Sequence, residues 1–160
     1  QTCALPILFD KLAKAPDERE ARGFASSIER MWLRSGSDTA DLLMSRAMQA
    51  LQSKDNMLAA ELCDRILEIH EGWAEVYNKR ATARFHMEDF NGAMEDIARV
   101  LKLEPRHFGA LAGMGFILQK TQQEKLAVRA FRRALELYPK QEELQKIVEK
   151  LAPEHEGKDI

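Results

Sequence analysis

The chain predicts an all-α fold of stacked helix pairs, a solenoid with N-terminal helices before the repeats and a capping helix after them. Two observations carry this. First, the 160 residues repeat at a fixed period: Ala93–Pro105 echoes as Ala127–Pro139, 34 residues later, and echoes again, 34 residues earlier, as Ala59–Glu71. A period of this length marks helix pairs, each too small to bury its apolar face alone. Second, apolar residues within each echo fall on one helical stripe. Cys63, Ile97 and Phe131 lie four residues after the leading Ala59, Ala93 and Ala127. Ile66, Val100 and Ala134 follow, then Leu67, Leu101 and Leu135, then Ile69, Leu103 and Leu137. Such offsets place all of them on one face of a helix.

The elements follow in order. Residues 17–34 predict a helix whose apolar face holds Ala21, Phe24, Ala25, Ile28, Met31 and Trp32, with Asp17 as its cap after Pro16. Residues 8–39 read as a degenerate leading helix pair or, alternatively, a plain cap. Ser35-Gly36-Ser37-Asp38 predicts a loop, with Asp38 capping the first repeat helix. Small residues Ala47, Ala81 and Gly115 recur on the first helix of each pair, where they let helix axes approach closely. Pro105 and Pro139 stop the second helices, since proline disfavours the helical region for the residue before it; Gly72 predicts a left-handed stop in their place. Leu144, Ile147, Val148 and Leu151 form the apolar face of a capping helix over 141–151, and the polar residues after Pro153 predict a frayed tail.

With the small residue, the leading alanine, the two apolar positions and the proline at this spacing, the chain resembles the tetratricopeptide-repeat family. The resemblance covers residues 40–141 as three repeats, 40–73, 74–107 and 108–141, and implies a right-handed superhelix. The chain also departs from the family. The aromatic expected early in the first helix is Tyr77, but Leu43 and Leu111 elsewhere. Lys54, Glu88 and Gln122 replace the loop glycine. Arg46 and Arg80 stand where the family has leucine, and Met114 follows in repeat three. A charge between helices needs a partner, so Arg80 is expected to pair with Asp96; the alternative is that both arginines reach solvent along their stems.

The first residues, Gln1-Thr-Cys-Ala-Leu-Pro-Ile7, back-translate to a common sequencing-adapter sequence. Residues 1–7 are therefore expected to be an artefact, with the native sequence starting near Leu8. Net charge is −2, without the basic footprint of a general nucleic-acid binder. No apolar run approaches the roughly 20 residues that span a bilayer. Cys3 and Cys63 imply no disulfide framework, and Cys63 reads as a small buried hydrophobe.

No catalytic constellation is legible. His70, His86, His107 and His155 lack ligand spacing, so neither a metal nor a cofactor is expected. Gly109, Gly113 and Gly115 lack the strand and the Gly-Lys-Ser/Thr of a phosphate loop. The expectation is a non-catalytic module that binds a protein or peptide.

In the family, first helices line the concave face and supply most ligand contacts. The resemblance implies a groove of Asp41, Met44, Met48, Leu51 and Gln52; then Glu75, Asn78, Thr82, Phe85 and His86; then Gly109, Ala112, Phe116, Gln119 and Lys120. One subfamily grips the C-terminal carboxylate of chaperone peptides with Lys, Asn and Arg at such positions. Met44, Met48, Thr82, Gly109 and Gly113 stand there instead, so that clamp is absent. An apolar strip of Met44, Met48, Leu51, Phe85 and Phe116 suits an amphipathic helix or an extended peptide. The alternatives are that the strip is covered by the chain's own N-terminal segment or a second copy, that the protein is a self-associating structural subunit, or that Asn78, Thr82 and His86 serve a small ligand. The segments 35–44, 77–82 and 103–111 resemble short bacterial tetratricopeptide proteins, many of them exported, which implies the periplasm, with the cytoplasm as alternative.

Overall fold

The computed structural model describes residues 4–156, and all regular structure among them is helical. The helices are α1 (Leu5–Lys14), α2 (Glu18–Trp32), α3 (Asp38–Gln52), α4 (Asn56–Ile69), α5 (Ala74–His86), α6 (Phe90–Leu103), α7 (Phe108–Lys120), α8 (Glu124–Leu137) and α9 (Glu142–Glu156). Cys3 and residues 157–160 lie outside the described residues. No helix among the described residues is long and apolar enough to cross a membrane.

The repeat is visible in the backbone. Lys54, Glu88 and Gln122 join the two helices of successive hairpins, and all three adopt left-handed φ values of 63°, 61° and 62°. The preceding carbonyls bind them there: Leu51, Phe85 and Gln119 accept from their N–H groups. Each second helix then ends on a residue of similar shape: His70 (φ −150°, ψ 72°), Glu104 (−137°, 89°) and Tyr138 (−134°, 80°). Gly72 therefore has no left-handed role, contrary to expectation: α4 has already been stopped at His70 by extended backbone. Asp55 and Asp89 cap α4 and α6 by accepting from Leu58 N and Gly92 N.

Two other local expectations change. The cap of α3 is Ser37, whose extended backbone lets its hydroxyl accept from Ala40 N at 3.3 Å; Asp38 is already helical. Asp41 supports that turn by accepting from Ser35 N and Ser35 Oγ. Helix α9 runs through Pro153 to Glu156. Asp17 caps α2 as its position suggests, accepting from Glu20 N at 2.8 Å.

The chain divides into two compact units, Trp32–Ala110 and the described residues on either side of it, up to Met31 and from Leu111. In the first, Ala40, Met44, Ala47, Leu62, Cys63, Ile66, Trp73 and Val76 form the core, and Ala50, Ala59 and Ala83 make a second cluster. Burying a side chain the size of Ile66 contributes about 1.5–3 kcal/mol. The alanines contribute by letting backbones approach. In the second unit, Phe131 fills the position held by Cys63 and Ile97 in earlier repeats, and it is fully buried. A Cβ on Gly115 would run into that ring, so the larger partner on α8 is accommodated by the missing methyl on α7. This unit also holds α1 and α2, with α1 against α8 and α9 against α8. Of residues 8–39, expected as a degenerate leading pair or a cap, those up to Met31 thus belong to the unit of α8 and α9.

Candidate functional site

The face of α3 that carries Met44, Met48 and Leu51 opens onto a depression of about 540 Å³. Leu33 and these three residues give it apolar walls; Asp41, Ser45, Gln49, Gln52 and Lys79 of α5 form its polar edge. Met44 is its floor rather than a protruding contact. It is 2% exposed and belongs to the core of the unit. Met48 and Leu51 are half-buried and present more surface.

Behind Lys79 lies a buried polar cluster. Glu75 and His107 are 6% and 3% exposed, and Glu75 Oε2 stands 2.7 Å from His107 Nε2. Ala110 N donates to His107 Nδ1 at 2.9 Å. Nδ1 therefore accepts, the ring proton is on Nε2, and that N–H donates to Glu75. His107 in this way caps α7 with one nitrogen and holds α5 with the other. The Trp32 ring stacks on it, with centroids 4.1 Å apart and planes 14° from parallel. The Trp32 carbonyl accepts from Trp73 Nε1 at 2.7 Å. The other Glu75 oxygen, Oε1, accepts from Asn78 Nδ2 at 3.1 Å and pairs with Lys79 Nζ at 3.5 Å. Burial alone would raise the Glu75 carboxyl. The His107 hydrogen bond, the Lys79 charge and the Asn78 amide overcome it and hold the carboxyl below its ordinary value. Glu75 and Asn78, placed in the groove from sequence, are thus committed to this internal network.

Arg80 pairs with Asp96, as its position suggests. Nη2 donates to Oδ1 at 2.7 Å and Nε to Oδ2 at 3.0 Å, while Nη1 reaches Asp64 of α4 at 2.7 Å. Arg84 Nη1 adds a bond to Asp96 Oδ2 at 2.9 Å. Asp96 is 3% exposed and joins α5 to α6. Arg46 is exposed. The difference is the residue opposite: the position of Asp96 is Leu62 in repeat one, so Arg46 has no acid there to draw it in.

The remaining expected groove residues do not line the α3 depression. Thr82 is exposed and donates to the Asn78 carbonyl at 3.1 Å. Phe85 packs edge-on against Phe90 and the exposed His86, with centroids 5.7 and 5.6 Å apart, at the tip of the α5–α6 hairpin. Phe116 belongs to the other unit and meets Phe131 edge-on at 5.1 Å. Gln119 and Lys120 end α7 and line neither depression described here. Of the structural positions, Ala47, Ala59, Ala81, Ala93 and Ala127 are 0–2% exposed. Pro105 follows the extended Glu104, and Pro139 the extended Tyr138.

In the second unit Phe116 and Ala112 line a depression of about 600 Å³ together with Glu18 and Arg22 of α2, Tyr138, and Leu144 and Ile147 of α9. Leu33, Ser45, Gln49 and Lys79, and the pairing of Glu75 with His107, are what sequence reasoning missed. The Glu75–Lys79 spacing of one helical turn is a legible signal for that ion pair, whereas the Glu75–His107 contact joins the two ends of repeat two, 32 residues apart, and leaves no local trace.

No group of three or more potential metal ligands converges among the described residues. The Cys63 thiol is fully buried, and burial pushes it up to about 12 against the lowering effect of Arg80. It packs as an apolar group and carries no thiolate chemistry at neutral pH.

A tetratricopeptide-repeat family model matches residues 74–107 and 109–141. A TPR repeat-containing protein of Rhizobium etli is 39% identical over 152 residues, covering 92% of this chain and 74% of its own length. Among solved structures, the TPR domain of Sgt2 from Aspergillus fumigatus superposes with a TM-score of 0.69 at 19% identity, covering 77% of this chain and 83% of its own. The Arabidopsis OM64 TPR domain gives 0.68 at 22%, covering 72% and 95%. The first TPR of Spaghetti (RPAP3), solved with the HSP90 peptide SRMEEVD, gives 0.68 at 19%, covering 71% and 90%. The fold, the repeat positions and the extent of the match to the Rhizobium protein together place this chain in the tetratricopeptide-repeat family.

Proposed function

We propose that the chain is a non-catalytic protein-interaction module that holds an apolar peptide or helix along α3. The observation that carries this reading is the depression of Met44, Met48, Leu51 and Leu33, edged by Gln49, Gln52 and Lys79. Methionine adapts its shape to varied partners. Amides that both donate and accept suit a peptide backbone at the rim. A protein of the same fold, the first TPR of Spaghetti, binds an acidic HSP90 peptide. This chain differs in the ligand it favours: Met44, Met48 and Thr82 offer no cation to a terminal carboxylate, so the ligand is read by apolar anchors.

Selection of displayed random peptides on the whole chain tests this. Enriched peptides should carry two or more large apolar anchors and lose at least tenfold in affinity on Met48→Asp with Leu51→Asp, the helical circular dichroism being unchanged. Peptides that bind both proteins equally would place the site elsewhere.

A further inference from the structure

Helix α8 carries a row of cations that the second helices of the other repeats lack. Lys125, Arg129, Arg132 and Arg133 are all exposed. Their offsets of four, three and one residues set them on one face of the helix, opposite the buried Ala127, Phe131 and Ala134. The 34-residue register supplies an internal comparison. The same four positions hold Asn91, Glu95, Ala98 and Arg99 on α6, and Met57, Glu61, Asp64 and Arg65 on α4, all exposed as well. Their charges sum to +4 on α8, to zero on α6 and to −1 on α4. Like charges one turn apart oppose helix formation, and among the described residues neither Arg129 nor Arg133 has a carboxylate within ion-pair distance. Glu136 closes the row one turn beyond, and Leu126, 44% exposed, borders it.

From this we infer that the exposed face of α8 is a docking surface for a short acidic helix of another protein, with several Glu or Asp on one side and a large apolar residue beside them. Folding does not require the row, because α4 and α6 form the same element with neutral or acidic residues there. Three of the four cations are arginines, whose planar fork matches a carboxylate in two parallel hydrogen bonds. Leu126 offers the apolar residue of such a helix a place to pack. The size of the row selects a short partner. From Lys125 to Arg133 it runs about 12 Å along the axis. The net charge of the chain is −2 with these four cations counted in, so the remainder carries −6. A nucleic-acid duplex or an anionic bilayer extends past the row and meets that acidic remainder, whereas a short segment meets the cations alone. This surface does not depend on the α3 depression.

The test uses the whole chain and a labelled, capped peptide of about 20 residues, long enough to hold a helix, with four glutamates and one leucine on one face and alanine and glutamine elsewhere. Fluorescence anisotropy should show saturable binding that weakens as salt rises and that falls at least tenfold when the glutamates become glutamines. The triple variant Lys125→Asn, Arg129→Glu and Arg132→Ala gives α8 the residues that α6 carries at these positions, so the repeat is known to fold with them. It should bind at least tenfold less well while its helicity and thermal midpoint are no lower than those of the wild type. Arg65→Ala on α4 and Met48→Asp on α3 should leave binding unchanged, which separates this face from cations in general and from the α3 depression. Equal binding of the glutamate and glutamine peptides, or equal binding by wild type and triple variant, would overturn the inference. So would tighter capture, lost in the triple variant, of single-stranded DNA, of vesicles containing phosphatidylserine, or of a second copy of the chain, because the partner would then belong to another class.

Discussion

His107 Nε2 donates to Glu75 Oε2 across 2.7 Å, joining the start of α7 to the first turn of α5 through two side chains that water does not reach. Glu75→Gln keeps the shape and removes the charge. It should cost about 1–3 kcal/mol at neutral pH, since a buried hydrogen bond to a charged acceptor is lost. The pH dependence has a fixed sign. The folded carboxyl is held below its ordinary value of 4.5, so its contribution is complete above 4.5 and is lost as pH falls through the lower folded value. Urea midpoints of wild type and Glu75→Gln should differ by a constant amount between pH 7 and about 5.5 and converge in more acid solution.

Arg80 and Asp96 are expected to behave as a coupled pair. Arg80→Leu leaves the buried Asp96 with Arg84 alone and should cost about 3 kcal/mol. Adding Asp96→Leu restores the residue that repeat one has at that position, Leu62, and frees Arg84 to reach solvent. The double variant should therefore lose at least 1 kcal/mol less than the two single losses summed. A double-mutant cycle in urea reads this directly, and strict additivity would deny the pairing.

Gly115→Ala sets two effects against each other. Alanine is the better helix former by about 1 kcal/mol, but its Cβ meets the fully buried Phe131 ring. Overpacking costs about 1–3 kcal/mol, so the net change should be destabilising. Phe131→Leu should make Gly115→Ala neutral or stabilising. Thermal midpoints of the four proteins decide it.

The turns hold a removable strain. Lys54, Glu88 and Gln122 take left-handed backbone that costs an L-residue about 1 kcal/mol. Glu88→Gly should raise stability by roughly 0.5–1 kcal/mol, net of the extra freedom glycine has when unfolded. The exposed side chain of Glu88 makes the backbone the main quantity measured.

These turns also illustrate what the sequence discloses. The period, the apolar stripe, the alanines and the Arg80–Asp96 pair were all legible, because each rests on residues one helical turn or one hairpin apart. The fate of Arg46 was legible too, once Leu62 is set against Asp96. What escaped depends on contacts remote in the chain. Nothing in the local pattern of Ala21, Ala25 and Ile28 says that α2 packs in the same unit as α8 and α9. Nothing near His107 points to Glu75. The register that lists Phe85 and Phe116 together says nothing of their ring partners, Phe90 for the one and Phe131 for the other. Glycine at position 72 looked like a helix stop, but the stop is supplied two residues earlier by the non-helical backbone of His70.

The proposal that α3 carries the ligand is tested most directly by its own methionines. With methyl-¹³C methionine in the whole chain, the resonances of Met44 and Met48 report the floor and wall of the depression, while Met57 and Met87, 67% and 42% exposed on other elements, report the outer surface. Addition of a peptide selected on the wild-type protein should move the Met44 and Met48 methyl signals in step with binding and leave Met57 and Met87 in place. Saturable shifts confined to Met57, Met87 or the remaining methionines, with Met44 and Met48 unmoved, would contradict the account.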